Sequence, residues 1–97
     1  MSTKISEDLS ITEVQIWPVR NPEGSRIKAM VSITFNNTLR VNGLKIIEGA
    51  KGLFLSYPSE KKPGSDQWFP MVMVVNRQDN EAIQVAVLKN FGGLVPG

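Results

Sequence analysis

Four cationic side chains are the candidate binding groups of this sequence: Lys51, Lys61, Lys62 and Arg77. Ammonium and guanidinium groups bind phosphates and carboxylates, so these positions predict contact with an anionic partner. The chain contains no cysteine and no histidine. A cysteine nucleophile, a Ser-His-Asp triad, a disulfide and a zinc site of the usual ligands are therefore excluded. We predict a protein that is not an enzyme and that needs no cofactor and no metal.

The carboxylates Asp79 and Glu81 are the remaining candidates for acid and base catalysis. Both fall in the first turn of a predicted helix, where negative charge stabilises the helix dipole without any catalytic role. A glycine-rich phosphate loop is also missing, because Gly92 and Gly93 follow that helix instead of leading into it. We expect no small-molecule substrate.

Positive charge is concentrated in the middle of the chain. Residues 26–62 hold seven cations and two acidic residues, a net charge of +5, although the whole chain carries only +2. An uneven distribution of this kind favours an anionic partner such as a nucleic acid. The alternative is that these cations only keep the surface of a sheet and its turns in solution.

The chain has the size and composition of one globular domain. It has 97 residues, of which 41% are hydrophobic and 21% charged. We predict a flexible segment at residues 1–9, a single domain at 10–91 and a tail at 92–97. No apolar run approaches the roughly 18 residues of a membrane span, and the N-terminus lacks the apolar core of a signal peptide. A cytoplasmic protein without membrane contact is expected.

The hydrophobic pattern predicts a small antiparallel sheet of about five strands. Apolar and polar residues alternate over residues 26–35 with the one exception of Met30, which is typical of a half-buried strand. Asn36 and Asn37 predict a two-residue hairpin turn, because asparagine tolerates positive φ. Residues 42–49 are interpreted as a short helical turn between Gly43 and Gly49. The predicted strands cover residues 11–19, 26–35, 38–41, 52–57 and 68–75, with a reverse turn at 21–24.

A C-terminal helix is predicted to begin after Asn76 and to end at Gly92 and Gly93. Asn76 is a favourable N-cap residue, and the stripe of Ile83, Ala86, Val87 and Phe91 would pack on the sheet. The preceding strand at 68–75 is apolar on both faces and needs cover on both. Because a small sheet has few other elements, we expect a second subunit there, and hence a homodimer.

Several segments together resemble the SpoVG family of bacterial septation and sporulation regulators. The likeness covers about residues 10–91, and a Gly-Leu-Phe segment that leads to Pro58 and Ser59 is its first specific motif. The second is the Ile-Gln-Val-Ala-Val-Leu helix at 83–88. The resemblance implies an α+β domain with a C-terminal helix, a dimer, binding to DNA and RNA, and a regulatory role in the bacterial cytoplasm.

The basic turn that follows Pro58 and Ser59 departs from the family pattern. The family usually continues Lys-Arg-Thr-Pro-Asp-Gly, a turn to which nucleic-acid binding is attributed, whereas residues 60–65 read Glu-Lys-Lys-Pro-Gly-Ser. Two cations remain, but the arginine fork that holds a phosphate bidentately is gone. The usual His-Pro-Ile-Asn before the helix is replaced by Val-Val-Asn at 74–76.

Two functional hypotheses follow. The first is a homodimeric nucleic-acid-binding regulator that uses Lys51, Lys61, Lys62 and Arg77, with Trp17 and Trp68 as candidates for stacking on unpaired bases. A tryptophan in a strand is, however, more often part of a core or an interface. The second hypothesis is a protein-interaction module that recruits another protein through the apolar residues 68–75, which the acidic Glu60 in the basic turn favours.

Overall fold

The computed structural model describes residues 2–19 and 26–94, which form seven strands and one helix. The predicted reverse turn at 21–24 lies outside the described residues. The elements are β1 (Thr3–Ser6), β2 (Leu9–Pro18), β3 (Ile27–Phe35), β4 (Leu39–Gly49), β5 (Gly52–Ser56), β6 (Ser59–Lys61), β7 (Trp68–Pro70) and α1 (Arg77–Leu94). In the described part of the chain no helix is both long enough and apolar enough to cross a membrane.

Strands β1 to β5 form one antiparallel sheet in which each strand pairs with the next along the chain. Helix α1 contacts β5 at one edge of the sheet and β1 and β2 at the other. The sheet therefore curls around the helix, and among the described residues no helix covers its opposite face. The predicted α+β fold, an antiparallel sheet with a C-terminal helix, is confirmed.

The core lies between this curled sheet and the helix. On β3, Ala29, Val31 and Ile33 are all at most 1% exposed, as the alternating pattern predicts. They face the helix stripe, in which Ile83 and Val87 are completely buried. Burial of each such large aliphatic side chain contributes roughly 1.5–3 kcal/mol. The core is completed by Ile11, Leu44, Ile46, Leu55 and Phe91.

The turn between β3 and β4 is the predicted asparagine turn. Asn36 and Asn37 have φ of 54° and 53°, and the Thr38 N–H donates to the Phe35 carbonyl over 2.9 Å. The side chain of Asn36 also holds the β1–β2 turn: it accepts from the Ser10 N–H at 2.8 Å and donates to the Asp8 carbonyl at 2.9 Å. The turn at Asn36 and Asn37 is confirmed, but the last pair is Phe35 with Leu39, so Thr38 belongs to the loop and not to the strand as predicted.

The helical turn predicted at residues 42–49 is wrong, because these residues belong to the eleven-residue strand β4. A bulge lies in this strand, since Val41 pairs with Ile33 while Leu44 pairs with Val31. Gly43 takes the positive φ, +84°, that the bulge needs. Leu44 and Ile47 are three positions apart, as on one face of a helix, but in the strand Leu44 and Ile46 are the residues that share the buried face.

Two other boundaries differ from the sequence prediction. Regular structure begins at β1, seven residues before the predicted start at Ser10, and the segment has only one apolar residue, Ile5, to signal a strand. The helix begins after Asn76 as predicted, with the Asp79 N–H donating to Asn76 Oδ1 at 3.1 Å. It continues past Gly92 to Leu94, because Phe91 packs in the core and holds the last turns against the sheet.

The apolar strand predicted at 68–75 is also wrong for most of its length. Only Trp68–Pro70 is a strand, and it pairs with Ser59–Lys61 in a separate two-stranded ribbon. Trp68 and Met73 are each 65% exposed, whereas Val74 packs against the core. The fifth strand of the main sheet is therefore β1 and not this segment.

Candidate nucleic-acid interface

A short ribbon of β6 and β7 carries the predicted basic turn. Glu60 pairs with Phe69 and Lys61 with Trp68, and the intervening loop is closed by the Lys62 N–H, which donates to the Gln67 carbonyl at 2.8 Å. At the base of the ribbon the Met71 N–H donates to the Pro58 carbonyl at 2.8 Å. These backbone bonds close the ribbon and fix the conformation of its loop.

Lys61 and Lys62 are brought together in this loop, where both line a shallow depression formed by residues 61–66. Lys61 Nζ lies 3.5 Å from Asp66 Oδ1, but the Asp66 side chain is fully exposed. Exposed ion pairs of this kind contribute little and are screened by salt. No ion pair involves Lys62 within residues 2–19 and 26–94. Both ammonium groups are therefore available to an anionic ligand.

Lys51 and Arg77 lie elsewhere. Lys51 is in the turn between β4 and β5, and the five residues of β5 separate it from the ribbon by about 16 Å along the strand. Arg77 is the first residue of α1 and forms an ion pair with Glu81 one turn later, with 3.4 Å between Nε and Oε1. The two lysines of the loop therefore form a local pair that Lys51 does not join.

A groove runs from the ribbon to the first turns of α1. It is lined by Tyr57, Ser59, Trp68, Met73 and Asn80 among others. The Tyr57 hydroxyl donates to Asn80 Oδ1 at 2.7 Å, and burial raises the pKa of Tyr57 above its ordinary value of 10.0. The groove is thus apolar on its ribbon side and has one fixed polar contact on its helix side.

Sequence reasoning missed a polar network on the sheet face that carries no helix. The Arg40 Nε donates to Ser32 Oγ at 3.0 Å, and an Nη group donates to Gln15 Oε1. The available signal was the alternation of β3, which puts Ser32 on the outer face together with Thr34, the cross-strand partner of Arg40. The described residues hold no cluster of acidic side chains that could bind a metal ion.

Comparison with known proteins decides the family. The SpoVG family model matches residues 9–92, which is nearly the whole chain. The chain belongs to the SpoVG family. The resemblance drawn from the Gly-Leu-Phe segment and the 83–88 helix motif is therefore confirmed.

Relatives of this SpoVG-family chain are named "Putative septation protein SpoVG". The relative from Caldicellulosiruptor bescii is 36% identical over 87 residues, which cover 90% of this chain and 96% of the relative. The relative from Clostridium perfringens is 37% identical over 83 residues, covering 86% and 89%. That from Heliobacterium modesticaldum is also 37% identical over 83 residues, covering 86% and 90%. These names refer to septation and state no reaction.

Proposed function

We propose that this SpoVG-family protein is a homodimeric nucleic-acid-binding regulator of the bacterial cytoplasm, without enzymatic activity. The observation that carries the proposal is the pair of exposed ammonium groups, Lys61 and Lys62, on a loop whose conformation is fixed by backbone hydrogen bonds of the ribbon. Such a loop can approach a phosphate backbone without moving the core. Arg77 and Lys51 would add weaker contacts from the helix start and the β4–β5 turn.

A dimer would double this charge. Two loops that engage one nucleic acid bind with an avidity that neither has alone, and each neutralised phosphate releases counterions. The exposure of Trp68, Met71 and Met73, each more than half exposed, supports a second copy as cover for the ribbon. Size-exclusion chromatography with light scattering tests this step, and a monomer at micromolar concentration would contradict the homodimer.

The binding test is fluorescence anisotropy with labelled single-stranded RNA, single-stranded DNA and duplex DNA over a salt series. We expect the double variant Lys61→Ala and Lys62→Ala to bind more weakly. Its log–log salt slope should be shallower by about 0.7 to 0.9 for each phosphate that the variant no longer neutralises. The matched control is Lys4→Ala with Lys89→Ala, two exposed lysines outside the loop whose removal changes the net charge equally. Equal weakening in the two double variants would remove the loop from the binding site.

A second candidate function is a protein-interaction module that uses residues 68–75. The supporting observation is the exposure of this apolar segment, in which Val75 reaches 91%. This hypothesis predicts no salt-dependent nucleic-acid binding and a stable complex in pull-downs from the native cell. Met71→Ser with Met73→Ser should abolish that complex, whereas Leu39→Ser, an exposed leucine outside the segment, should keep it. A complex that survives the methionine changes would exclude this function.

A further inference from the structure

The sheet face that points away from α1 is a second surface with binding chemistry. Trp17, Met30, Lys45 and Ser56 form one cross-strand row from β2 to β5. Their strand neighbours, among them Val31, Leu44 and Leu55, are buried against the helix. Because successive side chains of a strand point to opposite faces, this row lies on the uncovered side.

Two aromatic rings lie on this face, one of them in the row itself. Trp17 is 52% exposed on β2, and Phe54 is 44% exposed on β5. The two strands are three positions apart in the sheet, about 14 Å at the usual strand spacing. The Phe54 ring lies over Gly49, where a Cβ atom would come within 3.0 Å of it. The missing side chain at Gly49 therefore lets the ring rest on the sheet.

The guanidinium of Arg40 is held on the same face by uncharged hydrogen-bond partners. Arg40 donates to Ser32, which is only 2% exposed, and to Gln15 two strands away. Within the described ranges no carboxylate forms an ion pair with Arg40 or with Lys45. The nearby acidic group is Glu13, whose carboxylate accepts hydrogen bonds from Gln15 and Thr34. The guanidinium is thus held in place by uncharged partners, and Glu13 reaches it only through Gln15 and not by a direct ion pair.

We propose that this uncovered sheet face binds single-stranded nucleic acid, with bases stacked on Trp17 and Phe54 and phosphates bound by Arg40 and Lys45. Aromatic platforms interleaved with cations are the usual device of single-strand binding, because every base has a π-face and every nucleotide a phosphate. A duplex keeps its bases stacked inside and offers none to the rings. The inference shares its ligand class with the proposed function but uses a separate set of residues.

A second copy of this chain is the competing occupant of the face. A two-fold interface places the same patch on both subunits. Packing this face on itself would bring Arg40 and Lys45, neither of which has an ion pair among the described residues, near the same cations of the copy, which disfavours association. An anionic ligand has the charge complementary to these two cations, so the face favours a nucleic acid over a second copy.

The experiment compares two surface variants with matched controls in anisotropy titrations of the full chain. The probes are labelled oligothymidylate, oligouridylate and a DNA duplex. We expect Trp17→Leu, which keeps an apolar side chain but removes the indole, to weaken binding of both single strands about tenfold or more. Lys45→Gln should weaken it less and lower the salt slope by about 0.7. Duplex binding should change little. The controls are Leu39→Ser and Lys89→Gln, and thermal melts establish that each variant is folded.

Amide chemical shifts provide a readout independent of the substitutions. On addition of oligothymidylate to the wild-type chain, perturbations should centre on residues 15–17, 30–32, 40–45 and 54. Perturbations confined to residues 60–67, with unchanged affinity of Trp17→Leu, would overturn this inference and leave the loop proposal standing. The opposite pattern would support the sheet face and remove Lys61 and Lys62 from the site. Absence of single-strand binding by the wild-type chain at low salt would overturn the sheet-face inference, and the duplex titration would then decide the loop proposal alone.

Discussion

The side chain of Gln84 on α1 makes two hydrogen bonds to the backbone of Leu55 on β5. The Leu55 N–H donates to Gln84 Oε1 at 2.7 Å, and Gln84 Nε2 donates to the Leu55 carbonyl at 2.8 Å. Strand β5 is an edge of the main sheet, and an edge strand exposes unpaired groups to which another strand can pair. Gln84 occupies the centre of that edge and also fixes the helix to the sheet.

Removal of this amide should destabilise the fold. Gln84→Ala leaves the partly buried N–H and carbonyl of Leu55 without their partner, which we expect to lower the free energy of unfolding by about 1–3 kcal/mol. Urea denaturation followed by circular dichroism measures the change. The control is Gln78→Ala on an exposed position of the same helix. A difference below about 0.5 kcal/mol between the two variants would mean that water replaces the amide at little cost.

The asparagine turn should respond differently at its two positions. Asn37→Gly keeps the positive φ without a side-chain cost and should stabilise the protein by up to about 1 kcal/mol. Asn36→Gly keeps the same conformational freedom but removes the hydrogen bonds to Ser10 and Asp8. It should therefore destabilise by about 1 kcal/mol. Thermal unfolding of both variants checks the order, and a similar effect of the two changes would contradict a structural role of the Asn36 amide.

Two glycines are expected to respond to alanine with opposite signs. Gly43→Ala puts a Cβ atom on a residue with φ of +84°. The added atom has room, because the nearest side-chain atom, of Pro58, is 3.7 Å away. The expected loss of stability of about 1–2 kcal/mol therefore comes from the backbone conformation. Gly92→Ala adds a better helix former at an exposed position in α1 and should stabilise by about 0.5–1 kcal/mol. Urea midpoints of the two variants should therefore move in opposite directions. If Gly43→Ala left the urea midpoint unchanged, the bulge would be able to relax and accept the side chain.

The stability of the fold should fall in alkaline solution through Tyr57. Because burial holds the pKa of Tyr57 above 10.0, the unfolded chain loses the phenolic proton at a lower pH than the folded one. The contribution of Tyr57 to the free energy of unfolding is complete below pH 10.0 and is lost as the pH rises through the pKa of Tyr57 in the folded protein. Tyr57→Phe should remove this part of the pH dependence.

Tyr57 is the only tyrosine of the chain, so the absorbance of tyrosinate reports this group alone. A pH titration of the native protein should give a midpoint above 10.0, and the same titration in concentrated urea should return it to about the ordinary value. A native midpoint at or below the urea midpoint would show that the hydroxyl is open to solvent, contrary to its bond with Asn80.

The parts of the fold that the sequence predicts correctly rest on neighbours in the chain. The alternation of β3, the positive φ of Asn36 and Asn37, and the cap at Asn76 each depend on residues within a few positions. The failed predictions depend on distant partners. Residues 42–49 look helical until their pairing with β3 and β5 is known, and Trp68 looks like a residue of the main sheet until its pairing with Lys61 is known.

For the candidate sites the same division holds. Lys61 and Lys62 could be named from the sequence because they are adjacent and lie in a turn rich in proline and glycine. The face of Trp17, Arg40 and Phe54 could not be named as a unit, because its members come from three strands and meet only through the register of the sheet.

The sequence by itself determined the absence of thiol and imidazole chemistry, the concentration of positive charge in residues 26–62, and the family motifs. Composition and local pattern are properties of the chain and need no fold to express them. Only the tertiary structure decided that Gln84 would bind Leu55, 29 positions away, and that one face of the sheet would remain uncovered. Contacts of that separation depend on how the sheet curls around the helix, which no local interaction fixes.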